Sequence, residues 1–214
     1  MVAPLLLVAL AVGLGGCAGS PADPRTGPDT PGAAQETTPE APSASPTDSA
    51  SVVEAHLVPF PDIDPAGLDG PHAALLAILK QELATKPEGT KYSEGVDEPW
   101  CADFVSWALN EAGMPLTNPN TGAWRIPGIF TMRDYFESVG AWHDPGDGYT
   151  PVFGDVVIYE DGSPVWGGHS QLVLMIFDGN LVTIGGNQVG GPISVASFPL
   201  DYPNLSIWGF GATS

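Results

Sequence analysis

One cysteine of this chain stands where a thiol can act as a nucleophile. It is Cys101, in the stretch Glu98–Trp107, "EPWCADFVSW". Pro99 and Trp100 break what precedes it, and an apolar stripe at helical spacing begins just after it, so Cys101 opens a helix. The partial positive charge at a helix N-terminus favours a thiolate and lowers the thiol pKa. A thiolate that attacks an amide needs a base that later protonates the leaving amine. Of four histidines, His56 lies beside the polar N-terminal region, His72 in the first turn of a helix, and His143 in the loop-like "AWHDPGDG". His169 follows "WGG" and opens a strong strand, 68 positions after Cys101 (169 − 101). A strand holds a side chain rigidly, so His169 is the preferred base and His143 the alternative. The imidazole must be oriented through its other nitrogen. Asn187, in "TIGGNQ", comes 18 positions later (187 − 169). A hairpin turning at Asp178–Asn180 would lay it opposite His169, where its amide oxygen could accept the ring N–H.

These residues need elements to hold them. "GPHAALLAILKQELAT" reads as a helix with Pro71 in its first turn and Ala74, Leu75, Ile78, Leu79 and Glu82 on one face. "CADFVSWALNEAG" is a second, with the stripe Phe104, Val105, Ala108, Leu109, Ala112 and a stop at Gly113. "TMRDYFESVG" is a shorter third, capped by Thr131 and ended by Gly140. After Pro151 come short β-branched or aromatic runs broken by Gly, Pro and "DGN". Helices followed by strands predict an α+β fold, helices packed on an antiparallel sheet.

Composition narrows the function. The 214 residues carry only 6 Lys plus Arg and a net charge of -19. That excludes nucleic acid and adhesion to anionic lipid, which need basic clusters. At the start, "PLLLVALAVGLGG" is too short for a permanent span and reads as the apolar core of a signal peptide over residues 1–16. Residues 17–55 are rich in Pro, Ser, Thr and acids and read as a disordered tether, leaving 56–214 as the folded domain. "LGGC", Leu14–Cys17, resembles a bacterial lipobox, although no Lys or Arg precedes the apolar run. That resemblance implies lipid on Cys17 and a protein anchored on the outer face of the membrane, or else secreted. With Cys17 so used, Cys101 has no partner for a disulfide. One thiol and scattered histidines form no zinc set, and "DPGDGYT" lacks EF-hand spacing, so no metal or cofactor is expected.

The blocks "PWCADFVSWALNEAG", "GDVVIY", "GGHSQLVLM" and "VTIGGNQVGGPISV" resemble the CHAP family of cysteine, histidine-dependent amidohydrolases/peptidases, over roughly Leu68 to Ala212. That family lies in the papain-like superfamily with the NlpC-type cell-wall peptidases. The resemblance implies a papain-like α+β fold with about five antiparallel strands. It implies amide hydrolysis in peptidoglycan, either at the muramoyl–L-alanine bond or within the peptide, through a thioester. Cys101 would be nucleophile, His169 base and acid, and Asn187 orienter. The Cys101 N–H would serve an oxyanion hole with Tyr92 as second donor. Trp100 and Trp166, flanking the catalytic pair, would line the substrate. Gly154 and Asp155 match the family's "GD" as a structural turn. Two departures stand out. Ser170 and Gln171 follow His169 where many relatives have a small or apolar residue and then Gly, and Gln171, sharing a strand face with His169, would contact substrate there. Gly185 stands where some relatives carry Glu. The alternative is a non-catalytic CHAP-like module that binds wall fragments or a protein partner.

Overall fold

The computed structural model describes residues 46–188 and 191–214. The expected signal peptide and Cys17 lie outside the described residues, as does most of the expected tether. Its last ten residues do not: Pro46–Ala55 form a helix, α1, and Val53 is fully buried. The folded unit thus begins earlier than the composition suggested. The polar segment ends in "VVEAHL", whose apolar residues find a sheet face to cover. Residues 56–58 continue along the sheet edge, with Val58 N–H donating to the Val195 carbonyl and Ser197 N–H to that of His56.

Three more helices follow, α2 (Gly70–Thr85), α3 (Cys101–Glu111) and α4 (Ile129–Ser138). Asp69 caps α2 by accepting from His72 N–H at 2.9 Å. Helix α3 begins at Cys101 as expected and ends before Gly113, whose φ of +83° closes the turn. Helix α4 starts two residues earlier than expected, with Gly128 as its N-cap, so Thr131 lies inside it. Ile129 supplies the reason: it is buried against the core and draws the first turn inward.

The strands are β1 (Trp142–His143), β2 (Val156–Tyr159), β3 (His169–Phe177), β4 (Asn180–Gln188), β5 (Gly191–Pro199) and β6 (Ile207–Gly211). They form one antiparallel sheet ordered β1-β6-β2-β3-β4-β5, with helices preceding it in the chain. This is the expected α+β architecture, with the two-residue β1 as an additional edge. The β3–β4 turn falls where "DGN" placed it, Asp178 and Gly179 having φ of +50° and +74°.

Both sheet faces are covered. Val156, Ile158, Leu172, Leu174, Val182 and Ile184 pack with α2, α3 and α4. Val157, Tyr159, Val173, Leu181, Ala196 and Phe198 form a second cluster with Val53 of α1. Strand β2 is buried at every position because each face has its own cover. The "GD" turn is structural as expected. The buried Asp155 carboxylate accepts from Tyr149 hydroxyl at 2.6 Å, Val152 N–H at 2.8 Å and Thr213 N–H at 3.0 Å.

Candidate active site

Cys101 is the first residue of α3, 7% exposed, and belongs to the cluster on the helix-covered face of the sheet. The residue of β3 that meets it is Ser170. Ser170 sits two residues before Leu172 and four before Leu174, so alternation puts all three on that face. Burial pushes the Cys101 thiol up, not down as the helix terminus alone suggested. The Ser170 N–H and hydroxyl, and the Ala102 N–H, oppose that rise, and Asp103 adds to it. The expectation that the helix terminus lowers the thiol pKa is therefore corrected: burial acts the other way, because the core removes the water a thiolate needs.

His169 lies on the other face. Its ring stacks on Trp166, with centroids 5.4 Å apart and planes 12° apart. Its cross-strand partner is Tyr159, a member of the second cluster. Burial lowers the imidazole pKa to about 4, so it is neutral at pH 7, and its Nε2 has no hydrogen-bond partner. The structure thus brings Cys101 to Ser170 and holds His169 behind the sheet. Spacing gave the right strand and the wrong side of it, because adjacent strand residues face opposite ways.

Asn187 would oppose His169 if the register of Leu172↔Ile184 ran three residues further, since 172 + 184 and 169 + 187 are equal. The described β3–β4 ladder ends at that pair. Asn187 is exposed with φ of +56°, and no hydrogen bond joins it to His169. The orienting contact is not formed here. Gln171 is also corrected: its buried oxygen accepts from Tyr159 hydroxyl at 3.1 Å and Thr183 hydroxyl at 2.5 Å, which commits it to the interior. Tyr92 is corrected likewise. It is fully buried, and its hydroxyl donates to Glu82 at 2.6 Å, where Lys91 also binds, so it cannot serve an oxyanion.

The tryptophans divide. Trp100 stacks on Tyr92 (5.2 Å between centroids) and lies over Gly186, where any Cβ would strike its indole. That contact gives one glycine of "GGN" a packing role the sequence did not reveal. Trp166 is spent on His169, Tyr159 and Phe198. His143, the alternative base, stacks on Tyr149 and pairs with Asp147 at the β1 edge.

A charged group was missed. Asp103, in the first turn of α3, is fully buried, with Arg125 Nε 2.8 Å from its Oδ1 but off the line of a hydrogen bond. Arg125 also bonds Glu98. Burial raises the Asp103 carboxyl to about 6 against the pull of Arg125. A carboxylate two residues into an apolar helix, with few cations in the chain, was the available signal. Among the described residues no group of His, Cys, Asp or Glu is arranged to hold a metal ion. Nor is any described helix long and apolar enough to cross a membrane.

Cavities flank the sheet. One of about 520 Å³, lined by Tyr149, Tyr202, Leu205 and Phe210 among others, contains none of the expected site residues. A smaller one, about 270 Å³, is formed by Phe130, Glu160, Asp161 and Trp208. Its Asp161 packs against Gly168, just before β3.

Residues 92–187 match the family model of the CHAP domain, a span that opens at Tyr92, contains Cys101 and His169, and closes at Asn187. No curated protein and no solved structure gives a significant match to the chain.

Proposed function

We propose, from the premise that this chain carries a CHAP domain over residues 92–187, that it is a cysteine amidohydrolase acting on peptidoglycan. CHAP domains are typically cysteine/histidine amidohydrolases, which supports the coarse assignment. The observation that carries it is Cys101 at the N-terminus of α3, facing donors on β3. In the proposed reaction the Cys101 sulfur attacks the amide carbonyl. The negative charge that develops on oxygen is met by the Cys101 N–H. His169 removes the thiol proton and returns it to the leaving amine. Water then cleaves the thioester, with His169 as base. The bond cut is either the muramoyl–L-alanine amide or one within the peptide. The N-terminal features support an envelope-facing, lipid-anchored or secreted protein.

This chemistry requires His169 to leave the back face. Gly167, at φ +64°, and Gly168 directly precede it and give the backbone room to turn. The position of the imidazole favours a second reading, a CHAP-like module that binds wall fragments or a protein partner without cutting. One experiment separates the two. Purified peptidoglycan is digested with the protein and with Cys101→Ala and His169→Ala, and products are read by mass spectrometry. The hydrolase reading expects cleavage products that both substitutions remove. Intact polymer with the unsubstituted protein, together with sedimentation of protein with the wall, would establish the binding module.

A further inference from the structure

The departure from the family pattern at Ser170 meets the nucleophile. Ser170 is fully buried, and its hydroxyl has no partner at full hydrogen-bond geometry. Such a group is costly when left unsatisfied in a core. It lies on the α3-facing side of β3, where Leu172 and Leu174 pack in the same cluster as Cys101. Phe104 and Val105 of α3 and Ile129 of α4 belong to the same buried apolar cluster as Cys101. From β4, Gly186 packs against Trp100 and Phe104 of this face and offers no side chain.

We propose that Ser170 is a positioning residue for the nucleophile: its hydroxyl and backbone N–H are donors that close on the Cys101 sulfur when it becomes a thiolate. This rests on Cys101 as the nucleophile. A neutral thiol is a weak acceptor, so the contact is loose in the protonated state. Ionisation makes the sulfur a strong acceptor, and charge-assisted bonds are about twice as strong as neutral ones. The hydroxyl therefore stabilises the ionised form more than the resting one, which is what activation requires. The placement supports this: the unpartnered hydroxyl lies on the sheet face whose Leu172 and Leu174 share a cluster with Cys101, and the Ser170 groups favour the thiolate where burial disfavours it.

Other charges do not replace it. Asp103 acts against the thiolate and is held by Arg125, itself shared with Glu98. Glu82 of α2 is bound to Lys91 and Tyr92. His169, the adjacent residue, faces away.

The test titrates the thiolate directly in the full chain. Its ultraviolet absorbance is followed against pH and referenced to Cys101→Ala, which cancels the contribution of Cys17. Ser170→Ala should raise the midpoint by about one to two pH units, the worth of a lost bond to a charged group. Ser170→Thr keeps a hydroxyl and Ser170→Val matches Thr in shape, so packing disturbance cancels between those two. Thr should titrate below Val by a similar interval. A Ser170→Ala midpoint equal to that of the unsubstituted protein, or Thr and Val titrating together, would overturn the proposal. The readout needs no substrate. Unchanged wall digestion by Cys101→Ala would instead overturn the hydrolase reading and leave the titration result standing.

Discussion

The two faces of β3 place neighbouring residues in opposite chemistry. Toward α3, Ser170, Leu172 and Leu174 meet an apolar core that includes the Cys101 thiol, and the Ser170 hydroxyl there has no partner. Away from it, His169, Gln171 and Val173 meet Tyr159, Trp166 and Thr183. There the polar atoms outnumber their partners: His169 Nε2, Gln171 Nε2, Trp166 Nε1 and Gln188 Nε2 are all buried and unsatisfied. One peptide step separates the thiol-facing serine from the imidazole. In a strand that step is the thickness of the sheet. A Cys–His spacing in sequence therefore identifies the strand and leaves its facing open.

The largest expected effect tests whether the faces cooperate. Cys101→Ala should lower peptidoglycan hydrolysis by about a thousandfold or more. His169→Ala should cost about 10²–10⁴-fold if the imidazole reaches the thiol during turnover. Loss with the first and none with the second would mean that the two faces never communicate and that His169 is structural.

The second effect reads the back face alone. The folded imidazole pKa, about 4, lies below the ordinary value of 6.5. Below pH 6.5 the unfolded chain therefore binds the proton more readily than the folded one. The associated stability is complete above pH 6.5 and is lost as pH falls toward 4, by about 3 kcal/mol. Denaturant unfolding of the protein and of His169→Gln across this window should give curves that converge as pH falls. Parallel curves would show that the imidazole is solvated and already outside the back face.

Much of this was legible in the sequence, and the reasons differ by element. Helix α2 was read to its ends because Pro71 in the first turn and a sustained apolar period agree. The hairpin was read from "DGN", since left-handed backbone at Asp178 and Gly179 suits those residues. The facing of His169 was not legible. With both sheet faces covered, the first six residues of β3 are a continuous buried run and their alternation carries no polar phase. The burial of Cys101 was also hidden. The helix terminus argues for a thiolate, and only the packed neighbours show that desolvation outweighs it. Tyr92 and Gln171 were misassigned for a related reason: their partners, Glu82 and Thr183, are distant in sequence.

A third comparison uses adjacent glycines on β4. A methyl at Gly186 would run into the Trp100 ring and Phe104, on the thiol side. At Gly185 it would meet the end of Gln188 and Gln171 Cγ, on the histidine side. A stacked indole cannot move as an amide end can. Gly186→Ala should destabilise by about 1–3 kcal/mol, and Gly185→Ala by less, in chemical denaturation. The reverse order would place the rigid wall of the site on the imidazole face.

The smallest effect asks how tightly the back face is held. Tyr159 hydroxyl donates to the Gln171 oxygen at 3.1 Å, and Thr183 supplies a second, shorter bond to the same oxygen. Tyr159→Phe removes one of two donors and keeps the ring against Trp166. Because Thr183 still satisfies that oxygen, the cost should be about 0.5–1.5 kcal/mol. Thr183→Val in the Tyr159→Phe background should cost more than it does alone, since it then strands a buried acceptor. Additive costs in that double-mutant cycle would mean that water reaches the Gln171 amide. The back face would then be open enough for His169 to exchange its surroundings without breaking a sealed network.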